Sequence, residues 1–275
     1  MIFTYKNWDK FCKKLSSNGI KSISAKDVFS CNDKYVVLKH DVETDVKKAY
    51  NIAKIESKYG HNGSYYVQAY LLNNEKNIEY LKKMSEMGHE ISYHYDVLDW
   101  AKGDYEKAEI EYEKNVQLFK NNGFEIVTVC QHGNPVVERV GYTSNRDFFR
   151  NEKIANKYNN QSDIMVNFAT KSNTNYLYFS DAGRKFKLIY DPFFNDVTNS
   201  DDKNVPYGNL DLLFESIGEN NAIISMHPHR WCKNGFVYFI KTAIFKTVKF
   251  VAKLLMKIPF MKKIMSKYYY LAKKI

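Results

Sequence analysis

Between Lys34 and His227 short apolar, β-branched runs alternate with longer segments of helical periodicity. That alternation is the pattern of βα units around a parallel sheet. Tyr35-Val36-Val37-Leu38 reads as a buried strand, because its apolar content is continuous rather than alternating. Thr44 or Asp45 then caps a helix running to Lys58, and Gly60 ends it. The pattern continues with a strand over Ser64–Gln68, a helix from Lys76 to Met87 stopped by Gly88, and a strand over Glu90–His94. A helix over Tyr105–Asn121 ending at Gly123 and a strand over Phe124–Cys130 follow. The periodicity loosens through Arg146–Asn160. It returns as strands at Ile164–Phe168, Tyr176–Phe179, Lys187–Tyr190 and Ala222–Met226, with a helix at Leu210–Ile217.

Such a chain builds either a closed barrel or an open doubly wound sheet. A glycine-rich phosphate loop after the first strand would favour the second. The turn after Leu38 instead reads Lys-His-Asp-Val-Glu-Thr-Asp, with no glycine. An acidic turn repels phosphate and attracts a metal ion.

Charge divides the chain in two. The 41 basic residues include ten lysines after Phe236, which leaves 31 in the body to balance 31 acidic residues, all of them before Phe236. The reading is a neutral domain over residues 1–235 and a basic tail over 236–275. Four scattered cysteines without C-x-x-C pairing fit reduced thiols better than a disulfide framework. With no apolar run near the first residues and no spanning segment, the expectation is a cytoplasmic protein. The 22 tyrosines suit sugar binding, although a composition rich in Lys, Asn and Ile is the plainer account of them.

The unusual polar residues gather where strands end. The first strand leads into His40, Asp41, Glu43 and Asp45; the third ends at His94; the fourth leads into Gln131-His132-Gly133-Asn134-Pro135. Later strands lead into Ser180-Asp181-Ala182-Gly183-Arg184 and Met226-His227-Pro228-His229-Arg230-Trp231. In parallel barrels the C-terminal strand ends carry the catalytic groups. Mixed His and carboxylate ligands suit a catalytic divalent metal, Zn²⁺ above all. Such an ion lowers the pKa of water towards 7 and polarises a carbonyl, so an amide or ester becomes hydrolysable at neutral pH. His89 lies on the strand face opposite His94 and reads as structural.

These motifs, Leu38-Lys39-His40-Asp41-Val42-Glu43, Gly88-His89-Glu90-Ile91-Ser92-Tyr93-His94-Tyr95, His132-Gly133-Asn134-Pro135, Ser180-Asp181-Ala182-Gly183-Arg184 and His227-Pro228 with Trp231, resemble those of the NodB-homology polysaccharide deacetylases. That superfamily comprises carbohydrate esterase family four and its relatives, and the similarity is greatest to the branch whose first motif is His-Asp-Val-Asp. The resemblance spans roughly Trp8 to Trp231. It implies an α/β fold, a distorted (β/α) barrel, that removes an acetyl group from a sugar with the help of a divalent metal. By position, Asp41 stands for the general base, and Glu43 and His94 for metal ligands. His227 stands for the acid that protonates the leaving group. The second metal histidine of the wider family falls on Leu98 here, so His132 is the substitute ligand and Asp99 the runner-up. Asp181, Arg184 and Trp231 are the candidate substrate contacts.

Phe236–Ile258 carries its lysines at helical spacing with Phe, Ile, Val and Leu between them, and Pro259 breaks the pattern. This C-terminal basic amphipathic helical tail is expected to lie on an anionic membrane surface, making the protein peripheral on the inner face of the membrane. Its apolar face is too broad for a helix tracking phosphates, so nucleic acid is not expected as a partner. The expected substrate is a lipid- or nucleotide-linked sugar of capsule or lipopolysaccharide biosynthesis. Two rival readings are a catalytically inactive sugar-binding barrel in a glycan assembly complex, and a two-carboxylate glycosidase using Asp41 and Asp191.

Overall fold

In the computed structural model residues 3–134, 137–181, 186–189, 206–207 and 209–255 are described. The strands are β1 (Val36–Val42), β2 (Gly63–Val67), β3 (Glu90–Tyr95), β4 (Thr128–Gln131), β5 (Ser162–Asp163), β6 (Leu177–Ser180), β7 (Phe186–Ile189), β8 (Pro206–Tyr207) and β9 (Ala222–Met226). The helices are α1 (Tyr5–Ser17), α2 (Val46–Lys58), α3 (Glu75–Glu86), α4 (Val97–Ala101) and α5 (Tyr105–Asn121). They continue with α6 (Asp147–Arg150), α7 (Glu152–Lys157), α8 (Phe168–Ser172), α9 (Leu210–Ile217) and α10 (Gly235–Leu255).

The strands form one sheet in the order β5-β4-β3-β2-β1-β9-β6-β7-β8. Every pairing from β5 to β6 is parallel, and β7 and β8 add an antiparallel edge. The sheet is strongly curled. Val37, Tyr66, Cys130, Tyr178 and Ile223, from five different strands, pack into one interior cluster. Helices cover the convex side through two further apolar clusters, one under α2, α3 and α5 and one under α1 and α9. The fold is thus a distorted (β/α) barrel, and among the described residues its edge strands β5 and β8 do not pair with each other.

Local chemistry explains most element ends. Asp45 caps α2 by accepting from the Lys48 amide at 3.1 Å, and Gly60 and Gly88 end helices at positive φ. Two expected strands shift. Phe124 and Ile126 are buried as an approach to β4, which begins only at Thr128. The run Ile164–Phe168 is a turn leading into α8, and β5 pairs through Ser162 and Asp163 instead. There Asn167 Oδ1 accepts from the Asp163 amide and Asp163 Oδ1 from the Met165 amide, so side chains turn the chain before an apolar strand can extend. Among the described residues no helix is long and apolar enough to cross a membrane.

A buried polar knot fastens the convex side. The Glu56 carboxylate accepts from Trp8 Nε1 at 3.0 Å and from the Tyr65 hydroxyl at 2.7 Å, and lies 2.8 Å from His40 Nε2. Burial pushes its pKa up, but His40 and the Tyr65 hydrogen bond more than offset this and hold it below the usual range. His89 supports the same region from the residue just before β3, where its Nδ1 accepts from the Gly63 amide at 3.0 Å. Glu56→Leu leaves several buried donors without an acceptor, at roughly 1–3 kcal/mol each. We expect a loss of about 3 kcal/mol or more in denaturant unfolding; a loss below about 1 kcal/mol would show that the knot holds nothing.

Candidate metal centre

Strand alternation sends Lys39 and Asp41 of β1 into the barrel, with Glu43 following at the rim. The same alternation on β3 sends His94 inward, and beyond β4 and β9 it places His132 and His227 at the rim. Curling brings these side chains together. Glu43 Oε1 lies 3.2 Å from His132 Nε2, 3.9 Å from His94 Nε2 and 3.7 Å from His227 Nε2. Glu43, His94 and His132 are buried, and their ligand atoms all fall within 4.8 Å of one another.

This donor set fits a divalent ion. Two donors each 2.0–2.1 Å from a tetrahedral metal stand about 3.3 Å apart, close to the spacings around Glu43. His94 donates through Nδ1 to the Cys130 carbonyl at 3.1 Å, an assignment made from the hydrogen-bond network, which leaves the Nε2 lone pair facing Glu43. Burial pushes the Glu43 carboxyl up, yet His132 and His94 more than offset it and hold it well below the usual carboxylate range. Burial also lowers the His94 pKa against the opposing pull of Asp41. An anionic carboxylate and a neutral imidazole are the protonation states a metal requires.

A second set of three, Asp41, His94 and Cys130, lies deeper. There Lys39 Nζ already donates to both Asp41 oxygens, at 2.5 and 2.7 Å, and to Ser225 Oγ at 3.2 Å. Burial would neutralise Lys39, but Asp41 holds its pKa well above the usual value. Burial likewise raises the Cys130 thiol well above its normal range, so it stays protonated. An ammonium in place and a protonated thiol disfavour a metal at this level.

Facing the Glu43 group, His227 Nδ1 pairs with Asp181 Oδ1 at 2.7 Å, so that Nε2 faces the barrel mouth 4.0 Å from Asp41 Oδ2. Burial raises the Asp181 carboxyl, but Arg230, at 2.6 Å, and His227 pull it far below the usual range. Asp181 also accepts from the His227 amide at 2.9 Å.

The other expected site residues are placed as follows by their burial and partners. Asp181 is fully buried, and its carboxylate is engaged by His227 and Arg230. Trp231 is fully buried on the convex side, edge-on to Trp8 and Phe3 with ring centroids 5.0 and 5.3 Å away. Asp99 is taken up by Arg139, Tyr142 and Asn145. Arg184, Asp191, Pro135 and residues 256–275 lie outside the described residues. Lys39, Cys130 and Arg230 join the site although the sequence reading gives none of them a role. For Lys39 the signal was strand parity, two residues before Asp41.

No protein-family model matches the chain, and no curated protein does. Solved structures of the CE4 family are similar to it. A CE4 family pseudoenzyme from Bacillus anthracis is 13% identical with a TM-score of 0.42, over 72% of this chain and 56% of that one. A mutant of that pseudoenzyme with restored enzymatic activity is 13% identical with a TM-score of 0.42, over 72% and 57%. A Streptococcus mutans CE4 esterase is 13% identical with a TM-score of 0.44, over 77% and 81%. The chain spans a little over half the length of the first two.

The two sets of three predict different variants. Outer-shell changes typically weaken a metal site by ~10–100-fold. Loss of the ligand in Glu43→Gln is expected to weaken Zn²⁺ or Co²⁺ binding by at least ~100-fold, and Cys130→Ser by no more than about threefold. Competition titration measures both, and the reverse ranking would move the metal to the deeper group.

Proposed function

We propose that the protein is a divalent-metal-dependent hydrolase that removes an acetyl group from an amino sugar or another acetylated sugar. The observation that carries this reading is the convergence of Glu43, His94 and His132 beside the His227–Asp181 pair. A divalent ion held by these three residues, Zn²⁺ first among the candidates, would supply Lewis acidity to a carbonyl and lower the pKa of water. Asp41 is kept anionic by Lys39 despite its burial, and is the group placed to take the proton from the attacking water. His227, oriented by Asp181, presents Nε2 to protonate the leaving nitrogen or oxygen as the acyl bond breaks. Acetate and the free amine or hydroxyl are the products.

The same reading places the protein on an anionic membrane surface, with a lipid- or nucleotide-linked sugar of capsule or lipopolysaccharide assembly as substrate. Support comes from α10. Its inner side holds Tyr238 against the core cluster beneath α1, 6.3 Å from Phe3. Its exposed side carries Phe236 (73% exposed), Phe239 (70%), Ile244 (45%) and Phe250 (65%). Lys246 lies along it, and no acidic residue follows Phe236. An apolar face with cationic company and no anions matches an anionic lipid surface.

Two measurements test the proposal. Purified protein is expected to hold close to one divalent ion by elemental analysis, to lose it in His94→Ala, and to release acetate from acetylated amino sugars when loaded. Metal retained with no acetate from any acetylated sugar would favour the inactive sugar-binding barrel, and no metal after supplementation would sink both the site and the activity. Sedimentation with vesicles containing anionic lipid tests α10. Each buried phenyl ring contributes about 1.5–3 kcal/mol, so Phe239→Ser/Phe250→Ser is expected to cut binding by at least ~100-fold. Binding unchanged in that variant would remove α10 from the membrane.

A further inference from the structure

His94 and His132 are held in different ways. His94 is oriented through its ring, by the Cys130 carbonyl. His132 is held through its backbone: its amide donates to the Tyr95 carbonyl at 2.7 Å, and its carbonyl accepts from Asn145 Nδ2 at 2.9 Å. Asn145 is fully buried, and all of its amide is engaged. Its Oδ1 accepts from the Asp99 amide at 3.0 Å, and the same Nδ2 donates to Asp99 Oδ2 at 2.9 Å.

Asp99 is the hub of this clamp. Its carboxylate takes a two-pronged ion pair from Arg139, with Nε at 2.8 Å and Nη2 at 2.9 Å, and accepts from the Tyr142 hydroxyl at 3.1 Å. Arg139 Nη2 also donates to the Asn134 carbonyl at 2.9 Å, two residues beyond His132. The segment after β4 is therefore tied at two points to α4, whose own start follows directly from β3 and His94. A paired guanidinium–carboxylate with fixed fork geometry is a stiff anchor.

We propose that Asn145, backed by Asp99 and Arg139, is a positioning residue that sets His132 at ligand distance from Glu43. The inference rests on His132 being a metal ligand. Asp99 acts on the metal at one remove, through Asn145, and contributes no oxygen to it. Loss of such outer support weakens metal sites by about 10–100-fold, because the ligand then has to be ordered at the moment of binding.

The test is a double-mutant cycle on Co²⁺ affinity, read by competition titration together with the Co²⁺ visible spectrum. Asn145→Ala is expected to weaken Co²⁺ binding by about 10–100-fold. In a His132→Ala background the same substitution should change the residual affinity by less than about twofold, because its effect passes through His132. Asp99→Asn, which keeps the side-chain volume but loses the Arg139 pair, should fall between wild type and Asn145→Ala. It also serves as the folded alternative if Asn145→Ala unfolds. An equal loss with and without His132 would overturn the positioning role, as would undiminished affinity in both Asn145→Ala and Asp99→Asn. Unchanged affinity in His132→Ala alone would instead overturn the ligand assignment on which the inference rests.

Discussion

In β1 each side chain faces either the barrel interior or the helical sheath, and this two-residue alternation is the constraint on which the site depends. Val37, Lys39, Asp41 and then Glu43 descend the inner face as a ladder from an apolar floor to a polar rim. β9 repeats the ladder in register with Ile223 and Ser225, and Lys39 stands beside Ser225. On β3 and β4 the same parity aligns His94 with Cys130, one step below His132. Because the sheet curls, residues on strands that do not touch each other meet at their tips. A flat sheet with the same register would hold Glu43 and His132, three strands apart, at roughly 14 Å, given about 4.8 Å per strand spacing.

The cost of collecting so much charge in an interior is met by pairing it. Asp41 is matched by Lys39, Asp181 by Arg230 and His227, and Glu43 by the imidazoles around it. A carboxylate left alone at such burial would take up a proton and lose its value as base or ligand. Glu43 differs from the other two because its partners are histidines rather than a permanent cation. An imidazole can surrender its proton and turn its lone pair towards a metal, whereas Lys39 and Arg230 cannot. The proposed metal chemistry is therefore assigned to the Glu43 level of the barrel.

The neighbours His40 and Asp41 show how one dipeptide serves two purposes. Asp41 enters the barrel, while His40 turns outward, stacks on Tyr65 at 4.1 Å and meets the buried Glu56 of α2. The outer knot fastens α1 and α2 to the strand whose inner face carries Asp41. At the other end of the chain α10 leaves the barrel beside the rim: Lys48, near the start of α2, donates to the His229 carbonyl at 2.6 Å, and Cys232 bridges to Thr4 just before the helix begins. The exposed phenyl rings of α10 thus sit on an element continuous with the strand that delivers His227.

Local signals alone determined a good deal. The parallel βα plan, the Asp45 cap, the glycine stops and the extents of α5 and α9 follow from periodicity and capping, because those interactions span a few residues along the chain. Candidate ligands were legible as polar residues where apolar runs end, since a buried strand has few other reasons to finish in His or Asp. The first helix is also written in Trp8, Phe11, Cys12 and Leu15 at helical spacing. Only the tertiary structure decided the pairing of charges. That Lys39 neutralises Asp41, that Asp181 pairs with His227, that Trp231 turns into the sheath and that Arg139 and Asn145 take up Asp99 all depend on the curl of the sheet and on contacts between distant segments. Sequence spacing carries no information about which of two nearby cations a buried carboxylate will face; the barrel's curvature supplies it.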